Sequence, residues 1–219
     1  DRQLRVSGSV GIQKDNLLKT KAFTTDRLIG SGDIYWMANE NFSVNAQFTN
    51  YSTGQSAGRV AGNDSILARD VTRSATIAPR LTMQDENASH SYMLSAGYQN
   101  YTDLSAFTGG LSNTDAMNAT FMYNYTGIES RLALNGALTY VDASTGTVHG
   151  RTVGVSVGGG MPLLNEELSL SANLGYTRAG IGIDGAGGNV FSEGLTAGYR
   201  PTEDDTFNMT VSGMQADGL

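Results

Sequence analysis

From Thr152 to Tyr176 the chain reads TVGVSVGGG, then MPLLNEE, then LSLSANLGY. Val153, Val155 and Val157 alternate with Gly154, Ser156 and Gly158. Beyond the turn, Leu168, Leu170, Ala172, Leu174 and Tyr176 alternate with Ser169, Ser171, Asn173 and Gly175. Successive side chains of an extended strand point to opposite sides, so the stretch predicts a hairpin with two unlike faces. One face is apolar and ends in an aromatic ring; the other carries only Gly, Ser and Asn. Neither holds a charge, whereas the outer strands of a water-soluble sandwich set Lys, Glu or Arg toward solvent. A strand with its apolar side against lipid and its small polar side toward a lumen satisfies both faces.

The same alternation recurs from one end of the chain to the other and predicts eleven strands. Leu4, Val6, Val10 and Ile12 mark the first. Leu28, Ile34 and Trp36 oppose Ser31, Asp33 and Tyr35 in the second, about Arg27 to Ala38. Phe42, Val44, Ala46 and Phe48 alternate with Ser43, Asn45, Gln47 and Thr49 in the third. The fourth, near Arg69 to Met83, is less regular, because Val71, Ala75, Ile77 and Leu81 share a face with Arg73 and Pro79. A proline removes a ladder hydrogen bond, so Pro79 is expected at an edge, an end or a bulge, close to a turn at Gln84–Asn87. Tyr92 to Tyr98, Ala119 to Tyr125 and Leu132 to Tyr140 carry the fifth, sixth and seventh. The hairpin described above supplies the eighth and ninth, Phe191 to Tyr199 the tenth, and Phe207 to Val211 the eleventh.

The connections are expected to alternate long and short along all ten joints. Long ones are read at Gln13–Asp26, Ser52–Ala68, Tyr101–Asp115, Asp142–Gly150 and Arg178–Asn189, and short ones at Asn39–Asn41, Gly127–Glu129 and Pro201–Asp205. With this alternation and the two-faced strands, the chain resembles a bacterial outer-membrane β-barrel protein. TRSATIAPRLTM and SYMLSAGYQNYTD resemble Bacteroidota-type barrels in particular. The resemblance implies an all-β, antiparallel up-and-down transmembrane barrel located in the bacterial outer membrane, with the long loops outside the cell. Bacterial single-chain barrels close with an even number of strands, so an odd count implies either that 1–219 form a single barrel domain that is part of a larger barrel or that the count is off by one.

Composition sharpens this. Charged residues make up 16% of the chain, against a typical quarter or so, which suits a surface mostly turned away from water. The net charge of −7 excludes a generic phosphate-backbone surface and makes nucleic acid no partner. With no cysteine there is neither a disulfide framework nor a thiolate metal site. His90 and His149 lie near strand ends, share no pattern, and read as solvated polar residues. The stretch from Asp184 to Asn189 loosely resembles calcium loops but lacks repeated ligand spacing, so no metal and no cofactor are expected. Eight Asn-x-Ser/Thr sequons occur; because residues i and i+2 share a strand face, a face lined by Asn, Ser and Thr generates them by itself. No acid, base and nucleophile converge, so the chain is expected not to be an enzyme.

Strand parity sends Arg5, Arg27, Asp33, Arg80, Arg131 and Arg200 to the lumen side. Such charges set ion selectivity in an open pore, or pair with one another in a closed one. Tyr98, Tyr140, Tyr176, Tyr199, Trp36 and Phe42 fall near strand ends on the apolar side, as an interfacial girdle or, alternatively, as sugar-stacking rings. Two functions remain open. One is porin-like passage of small polar solutes; the other is a structural or anchoring barrel that supports a partner or an extracellular assembly. The partners implied are outer-membrane lipid and other outer-membrane or surface proteins.

Overall fold

The computed structural model describes residues 2–14, 26–56, 67–103, 113–164, 167–181, 186–202 and 205–217. These form eleven strands. β1 (Gln3–Lys14), β2 (Asp26–Asn39), β3 (Phe42–Ser56) and β4 (Leu67–Gln84) come first, followed by β5 (Ala88–Asp103), β6 (Thr114–Gly127), β7 (Ala133–Thr145) and β8 (Val148–Leu163). β9 (Leu168–Ile181), β10 (Ala186–Tyr199) and β11 (Phe207–Asp217) complete the set. All eleven lie in one sheet in chain order, each antiparallel to the one before. The all-β, up-and-down architecture expected from the alternation is the one adopted. Among the described residues β1 and β11 each pair with a single neighbour.

Register separates the two faces across the whole sheet, because residues opposite one another in an antiparallel ladder share a side. One row runs Ile34, Ala46, Ile77, Ala96, Ala119, Tyr140, Val153. On the other side Ser7, Asp33, Gln47, Thr76, Gly97 and Asn118 follow one another. Among the described residues nothing packs over the apolar face. Among the described residues Ala88, at 5% exposure, is the one buried hydrophobic side chain, while Val10 is 78% and Leu174 48% exposed. The sheet is held by its ladder, not by a core.

Three expectations about connections need correction. The long loop expected at Asp142–Gly150 is absent: β7 and β8 stay paired out to Thr145 and Val148 and are joined by Gly146 and Thr147 alone. Gly146 takes a φ of 59° there, a conformation open to glycine without steric cost. Arg178–Ile181 and Ala186–Asn189, expected in a loop, extend β9 and β10 instead. The long–short alternation therefore holds along the first joints and fails from β7 onward. These stretches lack bulky alternating residues, but their backbone groups still gain partners by continuing the ladder. Pro79 also lies inside β4, not at its end. It pairs in register with Val44, while the β4–β5 ladder is broken between Ile77 and Arg80 without a register shift, since proline has no N–H to give.

The opposite end of the sheet is tied together. Asn39 Oδ1 accepts from the backbone N–H of Asn41 and Phe42, at 2.9 and 2.8 Å. Asp85 Oδ1 repeats the device with Asn87 and Ala88, both at 2.8 Å, each side chain standing in for a turn of backbone. Neighbouring turns are then joined by backbone bonds: Thr82 N–H to Asn41 O, Ile128 N–H to Asn87 O, and Arg200 N–H to Glu167 O, at 2.7–2.8 Å.

Two glycines of β2 test the close approach of strands. A Cβ on Gly30 would lie 2.7 Å from Ser9 O, a backbone atom, whereas a Cβ on Gly32 meets nothing within 4 Å. Gly30→Ala is expected to cost about 1–3 kcal/mol of stability through forced backbone movement, and Gly32→Ala to cost little. Guanidinium unfolding of the two variants side by side checks this; equal midpoints would contradict the β1–β2 register.

Candidate functional site

The polar face is a continuous surface of hydroxyls and amides. Cross-strand hydroxyl pairs occur at Ser9–Ser31 (2.9 Å), Thr49–Ser74 (2.6 Å) and Thr114–Thr145 (3.0 Å). Gly97, Gly158 and Gly194 lie beneath the amides of Asn118, Asn135 and Asn173, which take the space a Cβ would need. Small residues thus let long amides lie flat, and the face stays polar without becoming crowded.

Of the charges placed here by parity, Arg5, Asp33 and Arg80 share this face, opposite Tyr35, Ser7 and Ser43 respectively. Arg80 also faces Met93, which faces Met122, so one row becomes bulky and basic within a surface of small residues. Arg27 holds a register position opposite Gln13, but its side chain lies outside the described residues. Arg131 and Arg200 are not on the face. Arg131 lies in the β6–β7 connection with a φ of 52°, and Arg200 follows the end of β10, so alternation does not reach either.

The apolar face ends in two polar rims. At the Gly146 end, Tyr98 Oη donates to Asp115 (2.6 Å), Tyr140 Oη to Asp142 (2.9 Å) and Tyr176 Oη to Asn189 (2.9 Å). Asn100 Nδ2 donates to the same Asp115 oxygen at 2.8 Å. Arg151 reaches Asp142 at 3.2 Å, with its guanidinium 5.9 Å from the Tyr140 ring centre. Each ring keeps its body on the apolar side and its hydroxyl among polar groups, the disposition of interfacial aromatics. At the short-turn end, Trp36 meets Phe42 edge-on, with centroids 6.1 Å apart, and Tyr92 packs on Tyr123 at 5.0 Å. Between rims, Leu168 to Tyr176 spans about 27 Å along the strand, close to the apolar band of outer-membrane barrels at about 25 Å. Glu193 breaks the pattern: it faces Leu174 within the band and lies over Gly213.

His90 is not the solvated residue expected. It sits half-buried at the short-turn rim, its Nδ1 2.9 Å from Tyr123 Oη, its ring stacked on Tyr123 and edge-on to Tyr125. Its Nε2 lies 4.0 Å from Asp85. Sequence parity alone could have placed His90 beside Tyr92, but the tyrosines of β6 required the register. His149 stands at the other rim, opposite Ser144. Among the described residues no three His, Cys, Asp or Glu side chains gather as metal ligands; Asp184 lies outside the described residues.

No protein-family model and no curated protein matches this chain. Among solved structures it is similar to OmpTdeltaL8, a loop L8 deletion mutant of OmpT, an outer membrane protein of Vibrio cholerae. The identity is 8% and the TM-score 0.41, over 98% of this chain and 97% of that one. The fold assignment above rests on strand pairing and not on this likeness. The narrower resemblance to Bacteroidota-type barrels gains no support from the comparison. The expectation that the chain is not an enzyme is also withdrawn in the light of this match, since barrels of one fold serve unrelated functions and the fold decides nothing about catalysis.

The Asp85 turn carries a pH prediction. The backbone N–H groups of Asn87 and then Ala88 hold its carboxyl below the usual 3.8, with a smaller pull from His90. A carboxyl lowered by folding stabilises the native state above its unfolded pKa, and that contribution disappears as pH falls through the folded value. The stability gap between the native chain and Asp85→Ala is expected to stay constant from about pH 8 to about pH 5 and to close only in strong acid. A gap that closed near neutrality would show that the turn bonds are not what holds Asp85.

Proposed function

We propose that this chain forms the wall of a bacterial outer-membrane barrel, with its apolar face against lipid and its polar face lining a passage for small polar solutes. The observation that carries the reading is the absence of a core among the described residues, combined with the sorting of side chains into two faces. In water the exposed apolar face would far exceed the few hundred Å² or so that monomeric proteins tolerate. A bilayer covers such a face along its whole extent, and the ladder satisfies the backbone groups that lipid cannot. The rims support the same reading, because their tyrosines mark both ends of a band of membrane thickness.

For the passage, Arg5 and Arg80 matter most. Both are exposed on the polar face, and among the described residues neither makes a hydrogen bond or ion pair. Unpaired guanidiniums on a wetted wall raise the local concentration of anions.

Two measurements follow. Leu170→Arg places a charge on the lipid side, at a cost of about 2–4 kcal/mol at mid-bilayer, and is expected to reduce folding yield into vesicles, while Ser171→Arg is expected to fold normally. Equal yields would remove the assignment of faces. In planar bilayers, Arg5→Glu and Arg80→Glu are expected to shift selectivity toward cations. An inserted protein with no conductance would leave the wall a structural or anchoring role instead.

A further inference from the structure

The apolar face is not uniform. Across β3 to β6 it sinks into a depression of about 490 Å³, floored by Ala46, Ala75, Ala96 and Ala119 and flanked by Tyr98 and Tyr140. The register sets Ala46, Ala96 and Ala119 in one row, with Ile77 standing between Ala46 and Ala96, and Ala75 in the next row. The face has a second hollow, about 310 Å³ among Leu134, Met161, Leu170 and Leu195, but the one over β3 to β6 is set apart by what borders it.

Immediately toward the Gly146 end the chemistry changes. Arg73 shares the face with Ala75, two residues along β4 and so about 7 Å away. It faces Asn50 on one side and Asn100 on the other. Its guanidinium is exposed, and no hydrogen bond or ion pair holds it among the described residues. Asp115, two strands away, is engaged by Tyr98 and Asn100 and leaves Arg73 uncompensated. A free cation flanked by amides, at the polar rim of an apolar hollow, is complementary to one kind of ligand: an anionic head joined to a hydrocarbon chain.

We propose that this hollow and Arg73 form a binding site for one phosphate-bearing lipid, its acyl chain over the alanine floor and its phosphate against the guanidinium. The site rests on reading the apolar face as the membrane surface, and it goes beyond that reading by singling out one lipid position among many. Guanidinium suits the phosphate because its fixed fork donates two parallel hydrogen bonds. Asn50 gives one Nδ2 hydrogen to Leu28 O at 2.9 Å, which leaves its second N–H and its carbonyl oxygen at the rim.

The test is native mass spectrometry of the detergent-solubilised chain, titrated separately with dipalmitoyl phosphatidylglycerol, dipalmitoylglycerol and inorganic phosphate. One phosphatidylglycerol is expected to be retained, with dipalmitoylglycerol about tenfold weaker, in line with the loss of a charge-assisted contact, and phosphate alone not retained. Arg73→Gln is expected to lower phosphatidylglycerol to the level of dipalmitoylglycerol, and Arg73→Lys to restore part of the difference. Ala96→Phe fills the floor and is expected to weaken both lipids; Ala119→Leu does the same with less bulk if the first variant does not fold. Wild-type retention by Arg73→Gln or by a folded floor variant overturns the site, as does retention of phosphate alone. Insertion into phosphatidylcholine vesicles is measured in parallel: a chain that inserts but shows no lipid preference loses only this site, while one that does not insert loses the membrane reading with it.

Discussion

Everything in this molecule depends on the backbone ladder. A globular domain spreads its stability over a buried core, but here one small alanine is the whole of the buried apolar inventory among the described residues. What joins β1 to β11 is a succession of antiparallel pairs, each strand held through its neighbours. In water such bonds gain little, because solvent competes for the same groups. Against hydrocarbon the balance changes: an unpaired N–H or C=O costs several kcal/mol or so, and the ladder becomes obligatory. The same environment removes the need for a core, since lipid covers the apolar side chains. Fold and surroundings are therefore one argument, and neither works without the other.

The rims show how the two environments are joined. At one end, three tyrosines two strands apart direct their hydroxyls to Asp115, Asp142 and Asn189. At the other, turns are fixed by Asn39 and Asp85 and then tied to each other through Asn41, Asn87 and Glu167. A two-sided sheet without a core has little else to fix its register, since sliding a strand by one residue exchanges its faces. Turns fixed by side chains at one end and polar rims at both make that exchange costly.

The strand faces were legible because alternation is a local property: Leu168 to Tyr176 needs no knowledge of its neighbours to declare two sides. Strand ends were less so. Alanine, serine and threonine after Asp142 look like a loop because they carry no bulky period, yet Ala143 to Thr145 pair with Val148 to Gly150 as well as any others. Arg131 and Arg200 were misplaced for the converse reason, parity having been carried past the last residue that obeys it. The rim clusters were half visible. Tyr140 and Asp142 stand at i and i+2, so one strand suffices to bring them together. The meeting of Tyr98 with Asp115, or of His90 with Tyr123, depends on how β5 is set against β6, which no single strand contains.

Charge placement gives the last step. Arg73, Arg151 and Arg178 occupy the apolar side, but each stands at the Gly146 rim, beyond the ring that ends the band on its own strand or the next. A cation there costs roughly 0–1 kcal/mol, compared with about 2–4 at the centre of the bilayer, so the rim is where basic side chains can be kept on this face. Arg151 is neutralised by Asp142, whereas Arg73 is not paired among the described residues. Two arginines at one level, one compensated and one free, do different physical work. The paired one closes the rim around Tyr140; the free one leaves a positive charge at the edge of an alanine hollow, where an aqueous counter-ion would be held only from one side and a tethered phosphate from both.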